Sequence, residues 1–125
     1  MARSKAREFA DLASELLGTD KVVPLTRTNY ISSNTDLQVI TSINSPTSNT
    51  FVFHVKSYTA SQSHLTSLNV IVEGGGAYLT EYGDVRTGGS LSSYDINVDS
   101  VNEKIELQAT PTNAVTNYTV VRINL

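Results

Sequence analysis

The stretch Asn69-Val70-Ile71-Val72-Glu73-Gly74-Gly75-Gly76-Ala77-Tyr78-Leu79-Thr80-Glu81-Tyr82 decides the fold. Val70 and Val72 alternate with Asn69 and Ile71, and Tyr78, Thr80 and Tyr82 alternate with Leu79 and Glu81. That period of two puts successive side chains on opposite faces of a strand. The three glycines between the runs read as a hairpin turn, because glycine enters the positive-φ region of tight turns without a steric penalty. A phosphate cradle is the competing use. It would need Lys-Ser/Thr after the last glycine, or a helix opening there, and Ala77-Tyr78-Leu79-Thr80 is strand-like instead. The first strand is apolar on both faces, which predicts a central place in a sheet.

The same pattern spreads outward. Phe51, Phe53 and Val55 alternate with Val52, His54 and Lys56; Tyr94, Ile96 and Val98 with Asp95, Asn97 and Asp99; Ile105, Leu107 and Ala109 with Glu106 and Gln108. A last run, Tyr118 to Leu125, carries Val121, Ile123 and Leu125 on one side. Gly74 to Gly76, Gly83-Asp84, Gly88-Gly89, Asp99 to Asn102 and Pro111-Thr112-Asn113 supply turns between the runs. The expectation for residues 50–125 is a mainly β domain, an antiparallel β-sandwich, to which the preceding segment adds one or two strands, about six to eight in all.

Residues 19–49 hold shorter apolar pieces, Val22-Val23-Pro24-Leu25, Tyr30-Ile31 and Leu37-Gln38-Val39-Ile40, separated by polar stretches. They read as an extended arm or linker, with Pro24 arguing for an edge strand. In residues 1–18, Phe9, Leu12, Ala13, Leu16 and Leu17 fall at i, i+3, i+4, i+7 and i+8, with Gly18 as a stop. This spacing predicts one amphipathic N-terminal helix. A helix so short is marginal alone in water, so its stripe calls for a surface to bury against: its own domain, another subunit or a larger assembly.

Composition removes whole classes of function. Among 125 residues there are fifteen Ser, fifteen Thr and ten Asn but no Cys, so a disulfide framework, a thiolate zinc site and a cysteine nucleophile are all excluded. No apolar run approaches the roughly 18 residues that span a bilayer. Glu8, Asp11 and Glu15 interrupt what would be the apolar core of a secretory signal. Net charge is −3, and beyond Arg27 four basic residues oppose eight acidic ones, which argues against a polyanion partner such as nucleic acid. The basic end at Arg3, Lys5 and Arg7 reads as an ordinary solvated first turn.

Motifs for chemistry are incomplete. Asp95-Ile96-Asn97-Val98-Asp99 begins like a calcium loop, with Glu106 at the twelfth position, but Ser100 stands where the sharp turn requires glycine and the flanks alternate as strands. His54 and His64 match no zinc spacing and read as structural or surface residues. Gly88-Gly89-Ser90-Leu91-Ser92 lacks the final glycine of a nucleophile elbow. Tyr78, Tyr82, Tyr94 and Tyr118 could make a platform for a glycan, though at strand spacing they read as core or half-core residues. No catalytic residue, metal ligand or cofactor site is expected, and an unrecognised hydrolase is the remaining enzymatic reading.

From about Thr50 onward the chain resembles a C-terminal β-domain of virion structural proteins, often tail-fibre-like, from marine tailed phages, especially those of cyanobacteria and pelagic bacteria. The resemblance lies in Ala77-Tyr78-Leu79-Thr80-Glu81-Tyr82-Gly83-Asp84-Val85 with Thr87-Gly88, and in Leu107-Gln108-Ala109-Thr110-Pro111-Thr112-Asn113-Ala114 leading into Thr119-Val120-Val121-Arg122. It implies assembly or recognition in a virion and brings no catalytic residues. The expected role is a non-enzymatic capsid decoration protein that docks on other virion proteins through Phe9, Leu12, Leu16, Leu17, Val22 and Val23, as a homo-oligomer such as a trimer. The alternative is a tail-associated or fibre-like module that turns Arg86 and Asn113 towards a host surface receptor. Neither role involves nucleic acid, a membrane or a cofactor.

Overall fold

A computed structural model describes residues 25–125. The expected N-terminal helix, and with it Phe9, Leu12, Leu16, Leu17, Val22 and Val23, lies outside the described residues. Within them the chain forms eight strands: β1 (Leu25–Ile31), β2 (Gln38–Asn44), β3 (Thr50–Tyr58), β4 (Ser63–Glu73), β5 (Gly76–Arg86), β6 (Ser92–Asp99), β7 (Lys104–Pro111) and β8 (Asn117–Asn124). They make two sheets, one of five strands in the order β1-β8-β3-β4-β5 and one of three in the order β2-β7-β6. Every pairing is antiparallel. This is the mainly β, two-sheet architecture that the alternating pattern predicts.

The segment expected as an arm contributes one strand to each sheet over residues 25–44. β1 pairs with β8 along its whole length, from Leu25 opposite Ile123 to Ile31 opposite Asn117. β2 pairs with β7 through a register shift between Val39 and Thr41, which leaves Ile40 as an extra residue. That bulge lets Ile40 and Ile43, three apart, both enter the core. It also explains why the apolar spacing there departs from a period of two.

The core lies between the sheets. Phe51, Phe53 and Val55 of β3, Leu68 and Val70 of β4, and Tyr118 and Val120 of β8 meet Ile105, Leu107 and Ala109 of β7. Tyr30 and Tyr94 flank Tyr118 at ring-centroid distances of 6.4 Å, the Tyr94 pair edge to face, so the tyrosines continue the core as a row.

The triple glycine forms the expected hairpin. Glu73 pairs with Gly76, and the intervening Gly74 and Gly75 have φ of 62° and 79°, a two-residue turn that requires left-handed backbone at both positions. Gly83-Asp84, expected as a turn, is instead a bulge inside β5. Leu65 pairs with Val85 and Ser67 with Tyr82, so Gly83 and Asp84 together oppose Thr66. Gly83 has φ of 67°, the left-handed position of a glycine-initiated bulge. The strand therefore continues to Arg86 where the dipeptide alone suggests an end.

Candidate functional site

Four loops gather at one end of the sandwich: residues 32–37, 59–62, 87–91 and 112–116. Antiparallel order places them there, because each connects strand ends that point the same way. Arg86 at the end of β5 and Asn113 in the β7–β8 loop thus fall at the same end of the molecule. Gly74 and Gly75 lie at the other.

These loops are braced by side chains from distant parts of the chain. Ser32, buried, donates its hydroxyl to the Ala114 carbonyl at 2.8 Å and accepts from the Thr116 N–H at 2.9 Å. The Thr112 N–H donates to the Leu91 carbonyl and its hydroxyl to the Ser90 carbonyl. The Thr87 hydroxyl accepts from the Ser63 N–H at 2.9 Å. The loop of residues 59–62 is closed by the Thr59 N–H on the Gln62 carbonyl, and its Gln62 side chain lies against Gly88. Each loop is tied to at least one other, which fixes the backbone without regular secondary structure.

Buried His64 anchors this end. The Leu91 N–H donates to its Nδ1 at 3.2 Å, so that nitrogen carries no proton. Nε2 then holds the ring proton and donates it to the Asp84 carboxylate. The other carboxylate oxygen of Asp84 meets Arg86 Nε at 3.2 Å. The bulge at Gly83 is the cause: it brings Asp84 onto the face where Thr66 and His64 point. Arg86 therefore braces the site through Asp84 while remaining partly exposed. Both histidine nitrogens are engaged, and His54 is far less enclosed, its Nδ1 2.9 Å from the Ser67 hydroxyl on the outer face.

Between the loops of residues 59–62 and 112–116 opens a cleft of about 720 Å³. Tyr58, Thr59, Ser61, Gln62, Asn113 and Asn117 line it together with Ala60 and Val115, and none of these side chains is charged. Lys56 Nζ lies 4.9 Å from the centroid of the Tyr58 ring and holds it as a cation–π partner. The Asn117 amide donates to the Tyr58 carbonyl at 3.4 Å. Amides and hydroxyls beside an aromatic ring suit hydrogen bonding to a neutral, hydroxyl-rich ligand. Asn113 is thus part of a cleft, whereas Gln62 and Tyr58 were not singled out in the sequence. Nothing local marked them, since the cleft exists only once loops some fifty residues apart meet.

The other candidates resolve by placement. Asp95 and Asn97 are exposed on β6, where Asn97 donates to Glu106 at 2.8 Å. Asp99 accepts from the Asn102 side chain and N–H, which hold its carboxyl below the usual range. Among the described residues no group of three or more His, Asp or Glu converges as a metal site. Tyr118 is buried and Tyr94 half-buried, but Tyr78 and Tyr82 are exposed on the outer face of β5, so the tyrosines split between core and surface.

No protein-family model and no curated protein matches the chain. Among solved structures it is similar to the Acinetobacter phage vB_ApiP_P1 tailspike protein, with 15% sequence identity and a TM-score of 0.48. That alignment covers 85% of this chain and 22% of the tailspike, so the chain spans about a fifth of that protein's length.

Proposed function

We propose that this chain is a recognition module of a phage virion, carried at the tail, whose loop end binds a neutral, hydroxyl-rich ligand such as a host surface glycan. The observation that carries the reading is the braced, uncharged cleft between Tyr58, Gln62 and Asn113. Preorganised loops lose little freedom on binding, and an aromatic ring beside amides and hydroxyls is the chemistry that recognises a sugar's apolar face and its hydroxyls. The virion assignment rests on the sequence resemblance. Its two blocks build β5 with its bulge and the β7–β8 loop, so they supply part of the loop end itself.

In this reading the module binds its ligand, for the residues that line the cleft include no histidine or carboxylate to activate the hydroxyls of Tyr58, Thr59 or Ser61. A panel of surface polysaccharides from candidate hosts tests this directly. Saturable binding, reduced at least tenfold by Gln62→Ala with Asn113→Ala, is expected. Binding unaffected by that pair, or cleavage of any panel member that a defined substitution abolishes, overturns the reading.

Capsid decoration is the second reading, favoured by the apolar stripe of Phe9, Leu12, Leu16 and Leu17 as a docking element. Labelled imaging of whole virions separates the two. Label confined to the tail removes decoration, and label over the capsid removes the tail assignment.

A further inference from the structure

Strands at the edge of a sheet leave backbone groups unpaired, and four strands of the sandwich are edges: β1 and β5 in one sheet, β2 and β6 in the other. β5 is the longest of them, eleven residues against seven or eight. Among the described residues it pairs with β4 alone. The hairpin shows which groups its free side carries. Glu73 and Gly76 close the two-residue turn and are therefore a hydrogen-bonded pair, and such pairs alternate along an antiparallel ladder. Tyr78, Thr80 and Tyr82 thus direct their N–H and C=O groups to β4. Ala77, Leu79 and Glu81 turn theirs away from it. Every residue from Thr80 to Arg86 is exposed, and Tyr78 is 67% exposed. From Ala77 to Tyr82 no Lys or Pro guards the edge.

We propose that this edge pairs with the same edge of a second copy of the chain, antiparallel, about a two-fold axis at Thr80. Self-complementarity selects the occupant. In that register Leu79 of each copy meets Glu81 of the other, and the two exchange both of the hydrogen bonds that β4 leaves unmade. Thr80 stands opposite Thr80, and Tyr78 opposite Tyr82 on both sides of the axis. Aromatic and threonine pairs are favourable across strands. Moving the axis to Glu81 sets two carboxylates face to face. Moving it to Leu79 sets Tyr78 against Thr80 and loses the aromatic pairs.

The side chains beside the edge continue the match. On the outer face Ile71 of β4 lies beside Tyr78, and Leu65 beside Val85, so exposed apolar side chains flank the edge on both sides of Thr80. The two-fold axis joins them into one strip that crosses the junction. The bulge at Gly83 bounds the paired stretch, because its left-handed backbone interrupts a regular ladder. The two five-stranded sheets then run on as one, with the loop ends of the two copies pointing in opposite directions. The cleft between residues 59–62 and 112–116 lies off this edge, and the inference does not depend on the recognition role.

The absence of cysteine makes the test clean: single cysteines are placed on the outer face of β5 in the full chain and oxidised under native conditions. Across the axis the two Thr80 Cα atoms are about 4.5 Å apart, as in any non-hydrogen-bonded pair, which is within disulfide reach. Thr80→Cys is therefore expected to form covalent dimer roughly tenfold faster than Tyr78→Cys or Tyr82→Cys, whose equivalent positions in the two copies are about 14 Å apart. Mixed with each other, the Tyr78→Cys and Tyr82→Cys chains should link. Glu81→Pro removes an N–H that β4 does not use, and it should abolish the rise in sedimenting mass with concentration that the parent chain shows. Equal linking at the three positions overturns the proposal. So does absence of linking at Thr80→Cys, the result expected if a strand of another protein or another part of this chain takes the edge. If Glu81→Pro fails to fold, the cysteine pattern decides alone.

Discussion

The two ends of the sandwich are held by different means. At the turn end, the conformation of a few residues decides the path: Gly74 and Gly75 take positive φ, and Ser45 and Glu103, with φ of 45° and 53°, are joined by the Ser45 N–H on the Glu103 carbonyl. At the loop end, side chains from remote positions do the work, as where Ser32 reaches Ala114 and Thr116. Local backbone preference suits a tight connection that has only to reverse the chain. A network of nonlocal hydrogen bonds suits a surface that has to hold a defined shape around a cleft.

The sharpest way to break this contrast is to remove the anchor of the loop end. His64→Ala leaves the Leu91 N–H without its acceptor, frees Asp84 from the bulge and opens a cavity at a buried position. A loss of about 3 kcal/mol in unfolding free energy is expected. Hydrogen exchange should accelerate at residues 87–91 and leave the turn at residues 74–75 unchanged. Equal acceleration at both ends would show that the ends are not independently held.

Alkaline pH attacks the same half of the interior by about 2 kcal/mol. Burial pushes the Tyr94 phenol up from 10.0 to about 12, the nearby Ser57 and Ser92 hydroxyls offsetting only part of that effect. Tyr118, whose hydroxyl donates to Ser92 at 2.9 Å, is raised for the same reason. A phenol with a raised folded pKa contributes stability that is complete below pH 10 and is lost as pH rises through 12. Denaturant midpoints measured between pH 9 and 12 should fall accordingly, and Tyr94→Phe should flatten the fall. An unchanged slope in that variant would move the effect to another group.

At the turn end the expected cost is smaller. Gly75→Ala meets open space, so its penalty is only the left-handed backbone, about 1 kcal/mol, and Gly75→Asn should recover most of it. Residues 59–62 and 112–116 should keep their exchange rates in both variants.

The same contrast explains what could be read from the sequence. The hairpin at Gly74-Gly75 and the alternating runs of β3, β6, β7 and β8 are local, so pattern and turn chemistry were enough to place them. β1 and β2 carry weaker patterns. β1 exposes Leu25 and Ile31 on its outer face, and the bulge at Ile40 breaks the alternation of β2. Gly83-Asp84 has the composition of a turn and the role of a bulge, which depends on Leu65 and Ser67 across the sheet. The cleft was least legible. Asn113 could be suspected from its loop, but Gln62 and Tyr58 acquire a role only through the register of β3 with β4 and β8.

The smallest change in stability should carry a large change in recognition. A Cβ built on Gly88 falls 2.5 Å from Gln62 Nε2 and 2.9 Å from its Cδ, atoms at the far end of a flexible side chain. Gly88→Ala can therefore be accommodated by swinging Gln62 aside, at a cost of less than about 0.5 kcal/mol. But Gln62 lines the cleft, and its amide would leave the place where the braced loops hold it. Binding to the polysaccharide that the parent chain selects should weaken several-fold while the unfolding midpoint barely moves. A Gly88→Ala chain that binds as tightly as the parent would mean that Gln62 makes no contact with the ligand, and the recognition surface would then have to be redrawn around Asn113 and Asn117.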